Sequence, residues 1–137
     1  MKKTILILLA ALTGVFAGAQ ENKTPEEREK ELYESIQKQV DRLAEQLNLT
    51  GGQIFYVDSI LTHDYNAMVK ELNDMSTARV SNGSLYEAVQ DKWAERIYQA
   101  FEKLFTQEQW QEYLKSGASR EKKLRDKRAA KLNKKQL

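Results

Sequence analysis

Apolar residues recur at three- and four-residue steps from residue 25 onward, and no segment shows the strict alternation of apolar and polar residues that marks a strand. The only proline, Pro25, lies at the start of the first of these segments, so no later helix is interrupted by proline. This pattern predicts an all-α fold, built as extended helical hairpins or as a small antiparallel bundle of about four helices. The helices are predicted at about 25–47, 51–75, 85–104 and 107–115.

The predicted helix starts carry the residues that satisfy free backbone N–H groups. Thr24 precedes Pro25 and two glutamates, an arrangement typical of a helix N-cap. The later starts have a Ser or Thr followed three residues on by Gln or Glu, which is the capping-box pattern: Thr50 with Gln53, Ser84 with Glu87, and Thr106 with Gln109.

The first 19 residues have the composition of a secretory signal peptide. Two lysines follow Met1, an apolar run comes next, and Ala17-Gly18-Ala19 forms a small-x-small site, which places the expected cut before Gln20. The apolar run is shorter than the roughly 20 residues of a membrane-spanning helix. We therefore expect a protein secreted across the inner membrane into the periplasm.

Charge divides the rest of the chain into two parts. We expect a helical domain over residues 20–115 and a basic tail, helical or disordered, over residues 116–137. Residues 115–137 hold ten Lys and Arg against two Asp and Glu, whereas residues 20–114 carry a net charge of −8. The chain contains no cysteine, so neither a disulfide nor a lipidated cysteine contributes to stability or anchoring.

Residue types that carry catalysis are scarce. His63 is the only histidine, it lies opposite the apolar stripe of the second helix, and no cysteine is present to complete a metal site. A nucleophile elbow and a phosphate-binding glycine loop are both missing from the sequence. The sequence therefore predicts no enzyme activity, no catalytic or metal-binding residue and no cofactor.

Two of the capping boxes carry a family resemblance. Leu49-Thr50-Gly51-Gly52-Gln53 resembles the LTxxQ motif of the Spy/CpxP family of periplasmic proteins, and Phe105-Thr106-Gln107-Glu108-Gln109 is similar to a second copy with Phe in place of Leu. The resemblance implies a curved helical homodimer that binds unfolded or partly folded envelope proteins without ATP, as a chaperone of the holdase type in the stress response. The motif residues it singles out are Leu49, Thr50, Gln53, Phe105, Thr106 and Gln109.

Two other functions remain open on the sequence alone. The protein is either a regulatory partner of an envelope sensor without general chaperone activity, or a surface-binding protein that acts through its basic tail. Family members often have a basic client-binding surface within the helical body, whereas here the body is acidic and the basic residues lie in the tail.

Two sets of residues are candidates for binding. Aromatic and apolar residues that lie off the core stripes are expected to contact clients, or alternatively to pack against a fourth helix or a dimer partner: Phe55, Tyr56, Ile60 and Tyr98, with Phe105 also off the stripe. Cations of the tail are expected to contact anionic lipid, acidic clients or the acidic first helix, but not nucleic acid: Arg120, Lys122, Lys123, Arg125, Lys127 and Arg128.

Overall fold

Helices account for nearly all of the chain that is described, which is residues 23–136 in the computed structural model; the predicted signal peptide lies outside this range. The all-α fold is confirmed, with no strand in these residues, whereas a dimer stays a prediction. The elements in order are α1 (Pro25–Leu47), α2 (Gly51–Thr77), α3 (Gly83–Leu104), α4 (Gln107–Tyr113), a π-helical turn (Leu114–Ala118) and α5 (Ser119–Lys135).

The first helix begins and ends through local backbone chemistry. The Thr24 hydroxyl accepts a hydrogen bond from the Glu27 backbone N–H at 3.2 Å, and the Glu27 carboxylate accepts one from the Thr24 N–H at 2.9 Å. At the other end Asn48 has φ of 50°, a left-handed conformation that asparagine tolerates better than most residues. The helix therefore ends at Leu47, and two residues separate it from Thr50, the N-cap of the next helix.

The start of α3 differs from the sequence prediction. The helix begins at Gly83, and Asn82 is its N-cap, because the Asn82 side chain accepts a hydrogen bond from the Ser84 N–H at 3.0 Å. The predicted box of Ser84 with Glu87 is therefore wrong. Asparagine is as good an N-cap as serine, and it lies two residues earlier.

Polar bridges hold α2 between α1 and α3. The Gln37 amide on α1 donates to Asp58 on α2 at 3.1 Å, and the Trp93 indole N–H on α3 donates to Glu71 on α2 at 2.7 Å. These three long helices run in alternating directions, because the connections at 48–50 and 78–82 are short. A row of antiparallel helices is the result.

The core lies where the facing stripes of α1, α2 and α3 meet. Its buried residues include Ile36, Val40, Leu43, Leu47, Val57, Leu61, Met68, Leu72, Ile97 and Phe101. One polar pair crosses it: the Tyr65 hydroxyl donates to Gln39 at 3.1 Å, and both side chains are buried. Burial raises the pKa of Tyr65 to about 12, although the Gln39 bond opposes this, so the tyrosine stays neutral and bonded at physiological pH.

Aromatic rings close the end of the core that α4 covers. Phe101 stacks against Phe105 with ring centroids 5.0 Å apart, and Tyr113 packs edge-on against both rings at 5.5 and 5.7 Å. Phe105, which the sequence placed off the core stripe, is buried here. For Phe105 the alternative of packing against a fourth helix is confirmed, because α4 supplies a second wall and the buried face of α3 is wider than one seam.

The chain changes direction at Gly117. Its φ of 120° lies in the region that only glycine adopts without strain, and it interrupts the helical backbone inside the π-helical turn. The boundary predicted from the sequence, between the helical domain at 20–115 and the tail at 116–137, lies two residues before Gly117. The turn lets the chain continue as α5 and run back along α3, so the basic tail, for which helix and disorder were both open, is a helix.

Within residues 23–136, no helix combines the length and the apolar character that crossing a bilayer requires.

We expect Phe101→Ala to lower the free energy of unfolding by about 3–5 kcal/mol, because the side chain is 0% exposed and its removal leaves a cavity. Urea unfolding followed by circular dichroism measures this change. Phe55→Ala is the matched control, since Phe55 is 67% exposed and its loss should cost less than about 0.5 kcal/mol. Equal losses for the two variants would contradict the described core.

Candidate functional site

The two motif boxes, residues 49–53 and 105–109, are N-caps of helices that meet side by side. In the first, the Thr50 hydroxyl accepts from the Gln53 N–H at 3.2 Å and Gln53 Oε1 accepts from the Thr50 N–H at 3.0 Å. The second has the same pair of bonds between Thr106 and Gln109, at 3.3 and 2.9 Å. Each glutamine is therefore part of the N-terminal capping box of its own helix.

The two glutamine amides also bond to each other in both directions. Gln53 Nε2 donates to Gln109 Oε1 at 2.7 Å, and Gln109 Nε2 donates to Gln53 Oε1 at 3.0 Å. Each amide also donates to the last residue of the helix that precedes the other box. Gln53 Nε2 donates to the Leu104 carbonyl of α3 and Gln109 Nε2 to the Leu47 carbonyl of α1, both at 3.3 Å. We call this arrangement the glutamine clasp.

The clasp explains why both boxes have Gln rather than Glu, a choice that capping alone does not determine. A capping box accepts Glu or Gln at its third helical position, and Glu27 of α1 is such a glutamate. A carboxylate at Gln53 or Gln109 would still accept the cap N–H, but it has no N–H to donate across the clasp. An amide is therefore required at both positions.

Leu49 and Phe105 precede the two caps and anchor them in the core. Both side chains are buried and belong to the same apolar cluster. Because the caps fix where α2 begins, they also fix its register, with Val57 in the core and the two residues before it outside.

An exposed aromatic pair lies two and three residues after the first motif box. Phe55 is 67% exposed and Tyr56 is 57% exposed, and their rings pack edge to face with centroids 5.6 Å apart. Ile60, one turn further along, is half-buried and packs against the core cluster. Phe55 and Tyr56 thus form an apolar patch, which we call the aromatic patch, with Ile60 as its inner edge.

Tyr98 does not belong to this patch. Its ring packs against Trp110 at 4.9 Å, and the cationic groups of Lys122 and Arg125 on α5 lie 5.6 and 5.4 Å from the ring centroid. The sequence grouped Tyr98 with Tyr56 as a candidate for client contact. In the structure α5 covers Tyr98, and the two tyrosines lie on different surfaces.

Three cations of α5 face an acidic stripe on α3. Glu95 accepts from Lys122 at 2.8 Å and from the Arg125 guanidinium at 3.2 Å. Asp91 accepts two bonds from Arg128, at 2.7 and 2.8 Å, in a bidentate geometry. We call Lys122, Arg125 and Arg128 the inner row; Arg125 is only 7% exposed.

The inner row changes one part of the expectation for the tail. Its three cations are paired with carboxylates of the protein itself, and contact within the protein was one of the alternatives that the sequence allowed. The acidic partner is α3, not the first helix. The other three predicted cations, Arg120, Lys123 and Lys127, are exposed or line an open hollow beside the π-helical turn.

Hydrogen bonding controls the ionisation of Glu95. Its burial favours the neutral acid, but the bonds from Lys122, Gln99 and Arg125 outweigh burial and lower the pKa of the carboxyl below its ordinary value. Glu71, bonded to Lys92 and Trp93 between α2 and α3, likewise has a lowered pKa. Both carboxylates are therefore charged at neutral pH.

The sole histidine has a local partner. His63 Nδ1 lies 2.7 Å from Asp64 Oδ1, with the histidine exposed and the aspartate buried beneath it. Among the described residues, no group of three His, Cys, Asp or Glu side chains is placed to hold a metal ion.

The contact between α3 and α5 is indicated in the sequence by charged residues, which apolar periodicity does not take into account. Glu87, Asp91 and Glu95 are spaced four residues apart, and the inner-row cations are spaced three apart, so each set forms one stripe on its helix. Pairing the two stripes requires knowing that the chain after α3 bends so that α5 runs back along α3.

No protein-family model matches the chain, and the comparisons with curated proteins and with solved structures also found no match.

The clasp predicts different effects for two chemically similar substitutions. We expect Gln53→Glu to lower the free energy of unfolding by about 1–3 kcal/mol, because the Leu104 carbonyl and Gln109 Oε1 lose a donor. The matched control is Glu27→Gln in the isolated box of α1, which should change stability by less than about 0.5 kcal/mol. Urea unfolding at neutral pH measures both changes. Similar losses of stability in the two variants would mean that the clasp contributes no more than an ordinary helix cap.

The ion pairs of α5 predict a loss of stability in acid. Because the pKa of Glu95 is lower in the folded protein, its contribution is present above the ordinary value of 4.5 and is lost as the pH falls through the lowered pKa. We therefore expect Glu95→Gln to weaken the pH dependence of the urea midpoint in this acidic range. Glu102→Gln, at an exposed position of the same helix, should leave the dependence as it is. Identical pH curves for the Glu95→Gln variant and the unmodified protein would contradict the contact.

Proposed function

We propose that this protein is a secreted, ATP-independent holdase of the cell envelope, similar to the Spy/CpxP family, which binds unfolded or partly folded proteins through the aromatic patch. The observation that carries the proposal is the exposure of Phe55 and Tyr56 beside the first LTxxQ-like box. The proposed secretion rests on the signal-peptide pattern of residues 1–19, and the proposed periplasmic location rests on the resemblance to the Spy/CpxP family.

The position of the patch supports a binding role over a packing role. The neighbouring turns of α2 bury Val57 and Leu61 completely, so the chain had apolar partners within reach, yet both rings remain largely in water. An aromatic pair in this state offers apolar area and edge-to-face geometry to any exposed hydrophobic segment. Such contacts are non-directional, which suits clients that share no sequence.

The rigidity of the site supports the same function. The glutamine clasp fixes the start of α2 against the end of α3, so the patch is presented by a helix that does not have to order on binding. Polar neighbours follow the patch along the outer face of α2, including Ser59, His63 and Asn66, all exposed. A small apolar site in a polar surface favours weak, reversible capture.

We expect the chain from Gln20 onward, which contains every described helix, to suppress aggregation of a reduced test protein at near-stoichiometric amounts. Phe55→Ser with Tyr56→Ser should require about tenfold more protein for equal suppression, the effect of losing about 1.4 kcal/mol of binding. Light scattering of the test protein measures this. The matched control, Tyr33→Ser with Leu85→Ser, removes two other exposed apolar side chains, which are 59% and 46% exposed.

Three outcomes would count against the proposal. Equal loss in the control would mean that total exposed apolar area, not the patch, determines suppression. Loss of suppression in a chain ending at Ser119, with α1 to α4 still folded by circular dichroism, would move the activity to α5. Absence of suppression by the unmodified chain would favour the regulatory partner of an envelope sensor instead.

A further inference from the structure

The cations of α5 form two rows that differ in whether carboxylates pair with them. The inner row is neutralised by Glu95 and Asp91 of α3. A second row, which we call the outer row, consists of exposed cations with no carboxylate partner among residues 23–136: Arg120, Lys123, Lys127, Lys131 and Lys134. At 100° per residue these five fall within an arc of about 80° on the helix and extend over about 21 Å of its axis.

The acids of α5 lie off the outer row. Glu121 and Asp126 fall outside this arc, and Asp126 is bonded to Lys122 at 3.0 Å. Because α3 binds the opposite side of the helix, most of the outer row faces away from α3; Lys131 lies at its edge, where it lines a hollow with Glu87 and Asp91 of α3. Five like charges on one rigid ridge repel one another unless an anion covers them.

Apolar side chains border the row at its N-terminal half. Leu124, 36% exposed, lies next to Arg120 and Lys127 on the helix surface. With Leu114 it lines the open hollow beside Gly117, among the same cations. A purely anionic polymer offers no apolar surface for these leucines to contact, whereas a lipid bilayer presents phosphate groups above an apolar layer.

We propose that the outer row of α5 docks the protein onto a bilayer surface that contains anionic phospholipid. Each cation near such a surface strengthens binding by about a factor of five, and the attraction falls off within a Debye length. A straight ridge lets all five cations reach a flat surface together, while Leu124 contacts the interfacial region. The aromatic patch takes no part in this contact, so docking does not depend on the proposed chaperone function.

The test is sedimentation of the chain from Gln20 onward with phosphatidylcholine vesicles, with and without phosphatidylglycerol. We expect binding only to the anionic vesicles, and weaker binding as salt is raised. Lys123→Gln with Lys127→Gln and Lys131→Gln should weaken binding about 100-fold. The matched control removes three exposed lysines elsewhere, Lys30, Lys38 and Lys103, each changed to Gln, and should bind within about twofold of the unmodified chain.

Each other result overturns the proposal. Failure to bind anionic vesicles at low salt excludes lipid docking. Equal loss in both triple variants means that net charge, not the row, determines binding. Release from the vesicles by polyglutamate at an equal concentration of negative charge would assign the row to acidic polypeptides instead. Circular dichroism of each variant establishes that α5 is still helical.

Discussion

The contact on which the fold depends is the pair of glutamine amides in the glutamine clasp. Each amide uses its oxygen for its own helix cap and for the other glutamine, and its N–H groups for the other glutamine and a helix-end carbonyl. Helix ends normally leave such groups to water. Here two helix starts and two helix ends satisfy one another, so the hairpin of α1 and α2 is joined to α3 and α4 at one point.

Charge, rather than apolar packing, attaches the last helix. Arg125 is the only buried residue of α5, and its guanidinium lies between Glu95 and the Tyr98 ring. Ion pairs that are partly exposed contribute little each and are screened by salt. The body formed by α1 to α4 is therefore expected to be the stable unit, with α5 as a more weakly held layer that contacts Tyr98 of α3.

The two proposed binding surfaces use different physics on different helices. The aromatic patch on α2 offers apolar area without charge, whereas the outer row on α5 offers charge with Leu114 and Leu124 beside it. Phe55 and Tyr56 are held by the register that the clasp sets, and the outer row is oriented by the acidic stripe of α3. Together the two proposals describe a protein that holds a client near a membrane surface without coupling the two contacts.

The sequence by itself determined the helical fold and the caps at Thr24, Thr50 and Thr106, because apolar periodicity and capping depend on residues within four positions of each other. It also indicated that Phe55 and Tyr56 lie off the core stripe. Only the tertiary structure decided that Gln53 meets Gln109, that Phe105 is buried, and that Lys122, Arg125 and Arg128 are bound by α3. These contacts join residues about 30 to 60 positions apart or depend on how separate helices pack, and local pattern contains no information on which helix faces meet.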